Sequence, residues 1–124
     1  MPQRALPLDG PGGGRETQGM TDTLARLEQV IRDRRGADPA TSYVAKLFAK
    51  GRPKIAQKLG EEAVETIIAA LSGDGAHTTS EAADLVFHLL VLLADMGLSL
   101  DDVAAELARR EGLSGIAEKA ARKE

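Results

Sequence analysis

The chain contains no cysteine and no tryptophan, and only one tyrosine and two phenylalanines among its 124 residues. Without cysteine there are no disulfides, no thiolate zinc sites and no cysteine nucleophile. With aromatics at 2 %, the core must be aliphatic, and the stacking platform of a single-strand nucleic-acid binder is excluded. Basic residues are not in excess. Lys and Arg number 16 against 19 Asp and Glu, a formal net charge of −3, so no overall positive field attracts nucleic acid. Long apolar runs are also missing. The longest, residues 85–94, is interrupted by His88 and is too short to span a bilayer. Residues 1–19 lack the apolar run of a signal peptide. No segment alternates with the period of a strand. The expectation is a cytoplasmic, all-α protein with neither nucleic acid nor membrane as partner. Hydrophobic residues at 43 % and charged residues at 28 % fit one globular domain.

Residues 1–19 are rich in Gly and Pro and carry almost no apolar pattern, so they read as a disordered leader. Met20 reads as a more natural start than Met1. The ordered domain is expected over 20–112, followed by a polar tail over 113–124. Thr21 and Thr23 offer caps for a first helix, carried by Leu24, Leu27, Val30 and Ile31 and stopped by Gly36. A second helix spans 42–50, with Tyr43, Val44, Leu47 and Phe48 on its apolar side. Pro53 opens a third, reaching Leu71. A turn over 72–78 leads to a fourth helix capped by Thr79 or Ser80 and ended by Gly97. Ser99 caps a fifth, with Asp101 and Asp102 in its first turn. So much apolar helix exceeds what a small protomer covers by itself, and a homodimer or larger assembly is expected.

Two acidic clusters stand out: Glu61, Glu62 and Glu65 on the third helix, and Glu81 and Asp84 on the fourth. Spacing of three or four residues stacks carboxylates on one helix face, where like charges repel. Hard divalent cations such as Mg²⁺ take oxygen ligands of this kind. At 100° per residue, Asp84, His88 and Asp95 lie within roughly 60° of arc beside Glu81. Almost everything else on that helix is apolar, so the thin polar stripe faces a protected cleft or a buried partner. The first cluster fits a solvated face equally well, because Lys58 can pair with Glu61 or Glu62. The second has no evident cation on its own helix. His88 suits the supporting shell of a metal site better than direct ligation, since Mg²⁺ prefers oxygen. Packed antiparallel, the two helices could aim both stripes at one point.

A basic segment precedes the acid. Lys46, Lys50, Arg52, Lys54 and Lys58 occur with no acidic residue between Ala45 and Gly60. Lys54 and Lys58 sit near a helix N-terminus, the wrong end for cations but suited to a phosphate group. Solvated lysines covering apolar surface with their stems would look the same. Phosphate plus metal is the simplest substrate chemistry that uses both halves.

The segments Ser42–Leu47, Lys54–Glu65 and Glu81–Ala94 closely resemble the phosphoribosyl-ATP pyrophosphatases, a family of the all-α MazG-like nucleotide pyrophosphohydrolases. The resemblance covers about Leu24 to Glu111. It implies a MazG-like bundle of about five helices, assembled as a homodimer through intersubunit helix packing. It implies Mg²⁺, with Mn²⁺ as a substitute, held by Glu61, Glu62, Glu65, Glu81 and Asp84. The implied reaction is hydrolysis of phosphoribosyl-ATP to phosphoribosyl-AMP and pyrophosphate, the second step of histidine biosynthesis. Water would attack the α-phosphorus, Lys50, Lys54 and Lys58 would neutralise phosphate oxygens, and Glu62 or Glu65 would orient or deprotonate the water. With no Cys for the zinc of the cyclohydrolase fused to some relatives, the chain reads as the free-standing form. The other readings are a MazG-like pyrophosphatase for (deoxy)nucleoside triphosphates and a non-catalytic helical dimerisation module.

Overall fold

A computed structural model describes residues 11–111, which form five helices and no strand: α1 (Pro11–Asp33), α2 (Tyr43–Lys50), α3 (Arg52–Ser72), α4 (Gly75–Asp95) and α5 (Leu100–Arg110). The all-α expectation holds for these residues. The first ten residues of the expected leader and the tail over 113–124 lie outside them.

Each helix boundary has a local cause. Ser42 caps α2, its Oγ accepting the Ala45 N–H at 3.1 Å. Gly51, at φ 93°, ends α2 and leads directly into the proline-bearing first turn of α3. Only glycine takes such an angle without strain. Gly73, at φ 82°, closes α3 in the left-handed conformation, and Asp74 then caps α4 by accepting the His77 N–H at 3.0 Å. Ser99 and Asp102 form a reciprocal capping box on α5, which satisfies two orphan donors at once.

Two starts differ from the sequence expectation. α1 begins at Pro11 rather than at Thr21 or Thr23, so residues 11–19 of the expected leader are helical. Thr23 Oγ1 donates to the Gly19 carbonyl at 2.9 Å, the bond of a threonine inside a helix and not of a cap. α4 begins at Gly75, a turn ahead of Thr79 and Ser80. Thr78 and Thr79 donate to the carbonyls of Asp74 and Gly75 at 2.8 and 2.9 Å. The glycines around Asp74 resembled a long turn, but one strong cap shortens the turn to Gly73 and Asp74.

That tight turn folds α3 back along α4, and this is the main packing contact of the molecule. The core is aliphatic, as expected: Ile31, Val44, Leu47, Ile55, Leu90, Val91 and Leu93, drawn from the first four helices. Ile55 and Val91 are wholly buried, each contributing about 1.5–3 kcal/mol by leaving water. α5 buries no residue completely. It leans on the core through Leu100 and Val103 and is tied to α1 by Glu28, whose Oε2 accepts the Leu100 N–H at 2.8 Å. No single described helix is long and apolar enough to cross a membrane.

Asp95 departs from the polar stripe to which the sequence assigned it. It anchors the C-terminal end of α4, with Arg52 Nε at 2.7 Å and Arg35 Nη2 at 3.5 Å. Arg35 also donates to the Ala94 carbonyl at 2.9 Å and lies over the Phe48 ring. Both cations complement the negative helix end. Periodicity along α4 alone could not show this, because both partners come from other parts of the chain. The Asp95 side chain is only 12 % exposed while both arginines are about half exposed, so the pair falls between the surface and buried regimes. Asp95→Asn should therefore cost about 1–2 kcal/mol, read as a lower urea midpoint with an unchanged slope.

Candidate active site

Glu62 and Asp84 lie equally far along the chain from Gly73, as do Glu65 and Glu81. Folding α3 onto α4 therefore brings the two acidic clusters level. Glu62, Glu81 and Asp84 each offer a carboxylate oxygen, and these oxygens lie within 4.8 Å of one another. The antiparallel arrangement anticipated from the two stripes thus gathers three of the five candidate ligands. Glu61 and Glu65 are not part of that group. Glu61 is turned aside, with Oε1 3.2 Å from Lys58 Nζ and Oε2 accepting from Gln57 Nε2 at 2.8 Å. Glu65 is exposed on the adjacent face of α3.

The electrostatics of the trio are those of a site lacking positive charge. Burial holds the Glu62 carboxyl above the usual carboxylate range, and Asp84 and Glu81 push it further up, against His88 and Lys58. Among the described residues, no lysine or arginine forms an ion pair with Glu62 or Asp84. Glu81 has a partner that the sequence reading missed: His77 Nε2 lies 3.1 Å from Glu81 Oε2. The i,i+4 spacing was there to be read, but His77 had been placed in a turn. Glu61 shows the contrary behaviour. Hydrogen bonds from Gln57 and Lys58 lower its carboxyl, while that bond to Glu61, and then Tyr43, raise Lys58. Three converging oxygens with unbalanced charge fit a hard divalent cation.

Beside the carboxylates lies a cavity of about 250 Å³ lined by Tyr43, Lys46, Leu47, Lys50, Lys54, Lys58 and Glu61. It unites the three lysines expected to meet phosphate and adds Lys46. A larger cavity of about 410 Å³ lies between the end of α4 and α5. Its lining is mostly apolar and includes none of the carboxylate trio, so size does not mark the site here.

His88 is buried. Its Nδ1 lies 2.8 Å from the Asp84 carbonyl and its Nε2 3.0 Å from Tyr43 Oη. It therefore braces the turn of α4 that presents Asp84. Tyr43, read from the sequence only as an apolar contact of α2, is the residue that joins this imidazole to the lysine cavity. Its spacing from Lys46 and Lys50 puts all three on one face of α2, a signal available in the sequence but masked by the hydrophobic pattern.

An all-α hairpin that turns three carboxylates to one point beside a lysine-lined cavity defines a helical protein suited to holding a cation next to an anionic ligand. Residues 24–111 match the phosphoribosyl-ATP pyrophosphohydrolase family, and the chain belongs to that family, a metal-dependent group within the MazG-like superfamily. A phosphoribosyl-ATP pyrophosphatase of Rhizorhabdus wittichii is 70 % identical over 103 residues, covering 83 % of this chain and 97 % of the relative. Proteins of the same name from Erythrobacter litoralis and Azospirillum brasilense are 63 % and 61 % identical, covering 82 % and 81 % of this chain and 97 % and 90 % of their own lengths.

The raised Glu62 gives a signed expectation. A carboxyl whose folded pKa is raised contributes most below its unfolded pKa, and that contribution is lost as pH rises through the folded value. Glu62→Gln mimics the protonated form. In metal-free buffer at neutral pH it should raise the melting temperature by about 1–3 °C, a fraction of a kcal/mol for a domain of this size. The gain should vanish near about pH 4, where the wild-type carboxyl is itself protonated.

Proposed function

We propose that this protein hydrolyses phosphoribosyl-ATP to phosphoribosyl-AMP and pyrophosphate, the second step of histidine biosynthesis, using Mg²⁺ held by Glu62, Glu81 and Asp84. The convergence of those three carboxylates on one point carries the reading, supported by family membership and by the adjoining lysines. Mn²⁺, also a hard divalent cation, should substitute.

Bound there, Mg²⁺ would lower the pKa of water and offset the charge on the leaving pyrophosphate. The residues of the chain do the rest. Lys50, Lys54 and Lys58 neutralise phosphate oxygens and hold the polyphosphate in line. Water adds at the α-phosphorus as the bond to the bridging oxygen of the β-phosphate breaks, giving phosphoribosyl-AMP and pyrophosphate. Of the two carboxylates expected to act on the water, Glu62 belongs to the cation trio. Exposed Glu65, on the same helix, is the one left to orient the water and take its proton. Glu61, paired to Lys58, positions that ammonium. His88 keeps Asp84 in place from behind.

We further propose a homodimer. Val64, Ile67, Ile68 and Leu71 on α3 are 54–83 % exposed, and Val86 on α4 is 37 % exposed. A contiguous apolar face of this kind is rarely left to water. The sequence expectation rested on the amount of apolar helix in the chain, and on this face α3 carries more uncovered surface than α4. Light scattering at low micromolar concentration should give twice the protomer mass, and a stable monomer would count against the assembly.

The activity is tested with a panel of phosphoribosyl-ATP and ordinary nucleoside triphosphates, reading pyrophosphate release with Mg²⁺ and after exhaustive chelation. Turnover should be confined to the first substrate and to metal-replete enzyme. Asp84→Asn should lower it by more than about 100-fold, since even an outer-shell partner of a metal is typically worth 10–100-fold. Undiminished turnover after chelation, or in this variant, would remove the metal assignment.

A further inference from the structure

We propose that residues 113–124 of this chain dock in the apolar groove between the end of α4 and α5, as an intramolecular cover. They follow the family match, which ends at residue 111.

The groove measures about 410 Å³. Leu93, Leu98, Val103 and Leu107 give it an apolar lining, and Asp102, Glu106 and Arg110, one turn apart along α5, complete that lining. Leu107 is 59 % exposed and Leu98 40 %, and α5 buries no residue completely. A helix of 11 residues is marginal in water unless its apolar face is packed. Among the described residues, that face of α5 is left open.

The chain itself supplies a matching occupant. Glu111 turns to extended backbone and ends α5 next to Arg110, which lines this groove and not the neighbouring one between α1 and α5. The chain therefore leaves α5 at the mouth of the groove. From Arg110 back to Asp102 the groove runs about 12 Å, and residues 113–124 at helical rise reach about 18 Å. After a reversal at Gly112 they can cover it from end to end. Their chemistry also fits. Leu113, Ile116, Ala117 and Ala120 recur at the spacing of one helix face, a match for the leucines and valine of the groove. Lys119 and Lys123, one turn apart, flank that face. Glu106 is already paired with Arg109 and Arg110, which leaves Asp101 and Asp102 as the carboxylates for these lysines to meet. An antiparallel return along α5 brings Lys123 toward that end.

Hydrogen exchange of the full chain, followed residue by residue by NMR, tests the docking. Ile116→Asp places a charge on the apolar side of the segment. Amides from Val103 to Arg110 should then exchange about tenfold faster, the scale of one large apolar side chain no longer buried. Those of α2 and α3 should keep their wild-type rates and so report an intact fold. Arg122→Ser, on the side of the segment opposite its apolar face, should leave α5 unchanged. Wild-type rates on α5 in Ile116→Asp, or equal acceleration by both substitutions, overturn the proposal. So does α5 protection in the wild type that falls on dilution, since a second copy and not this segment would then fill the groove.

Discussion

The two-residue turn at Gly73 and Asp74 fixes the register of α3 against α4, and everything at the site depends on that register. A glycine in the left-handed conformation ends one helix and an aspartate caps the next. No slack is left for the helices to slide. Glu62 and Asp84 must then face each other, with Glu81 one turn away. A longer, looser turn would carry the same residues without holding three carboxylates within 4.8 Å.

Gathering like charges costs stability, and the fold offsets that cost in the middle and at the C-terminal end of α4. Leu90, Val91 and Leu93 bury the helix against Ile31, Val44, Leu47 and Ile55. Arg35 and Arg52 clamp Asp95 at its far end, while His88 ties its middle to α2 through Tyr43. The acidic turn is thus held by packing and by the hydrogen bonds of His88, and among the described residues no lysine or arginine pairs with Glu62 or Asp84. On the proposed reading, a divalent cation bound there would supply the balancing charge.

Much of this was legible in the sequence, because helix periodicity and caps are local. The five helices, the cap at Ser99, the helix-opening Pro53, the aliphatic core and the two carboxylate stripes all follow from spacing within a dozen residues. Long-range pairing was not legible. Asp95 shares an arc with Glu81, yet its partners Arg35 and Arg52 lie more than 40 residues away in the chain. Glu61 and Glu62 are neighbours in sequence, and only side-chain partners show that one turns to Lys58 and the other to the trio. Tyr43 looked like a core residue from its helical spacing, yet its ring is half exposed; the contact of its hydroxyl with His88 forms only because α4 packs beside α2. The early starts of α1 and α4 were hidden by glycine-rich stretches that read as breakers.

The central claim is that the hairpin makes one cation site from Glu62, Glu81 and Asp84. Paramagnetic broadening by Mn²⁺ in amide NMR spectra of the wild-type protein tests it most directly. Substoichiometric Mn²⁺ should broaden the signals of these three residues first, with the effect fading along α4 toward Asp95 and along α3 toward Arg52. Broadening centred elsewhere, or spread evenly over the exposed carboxylates, would contradict a single site formed by the turn.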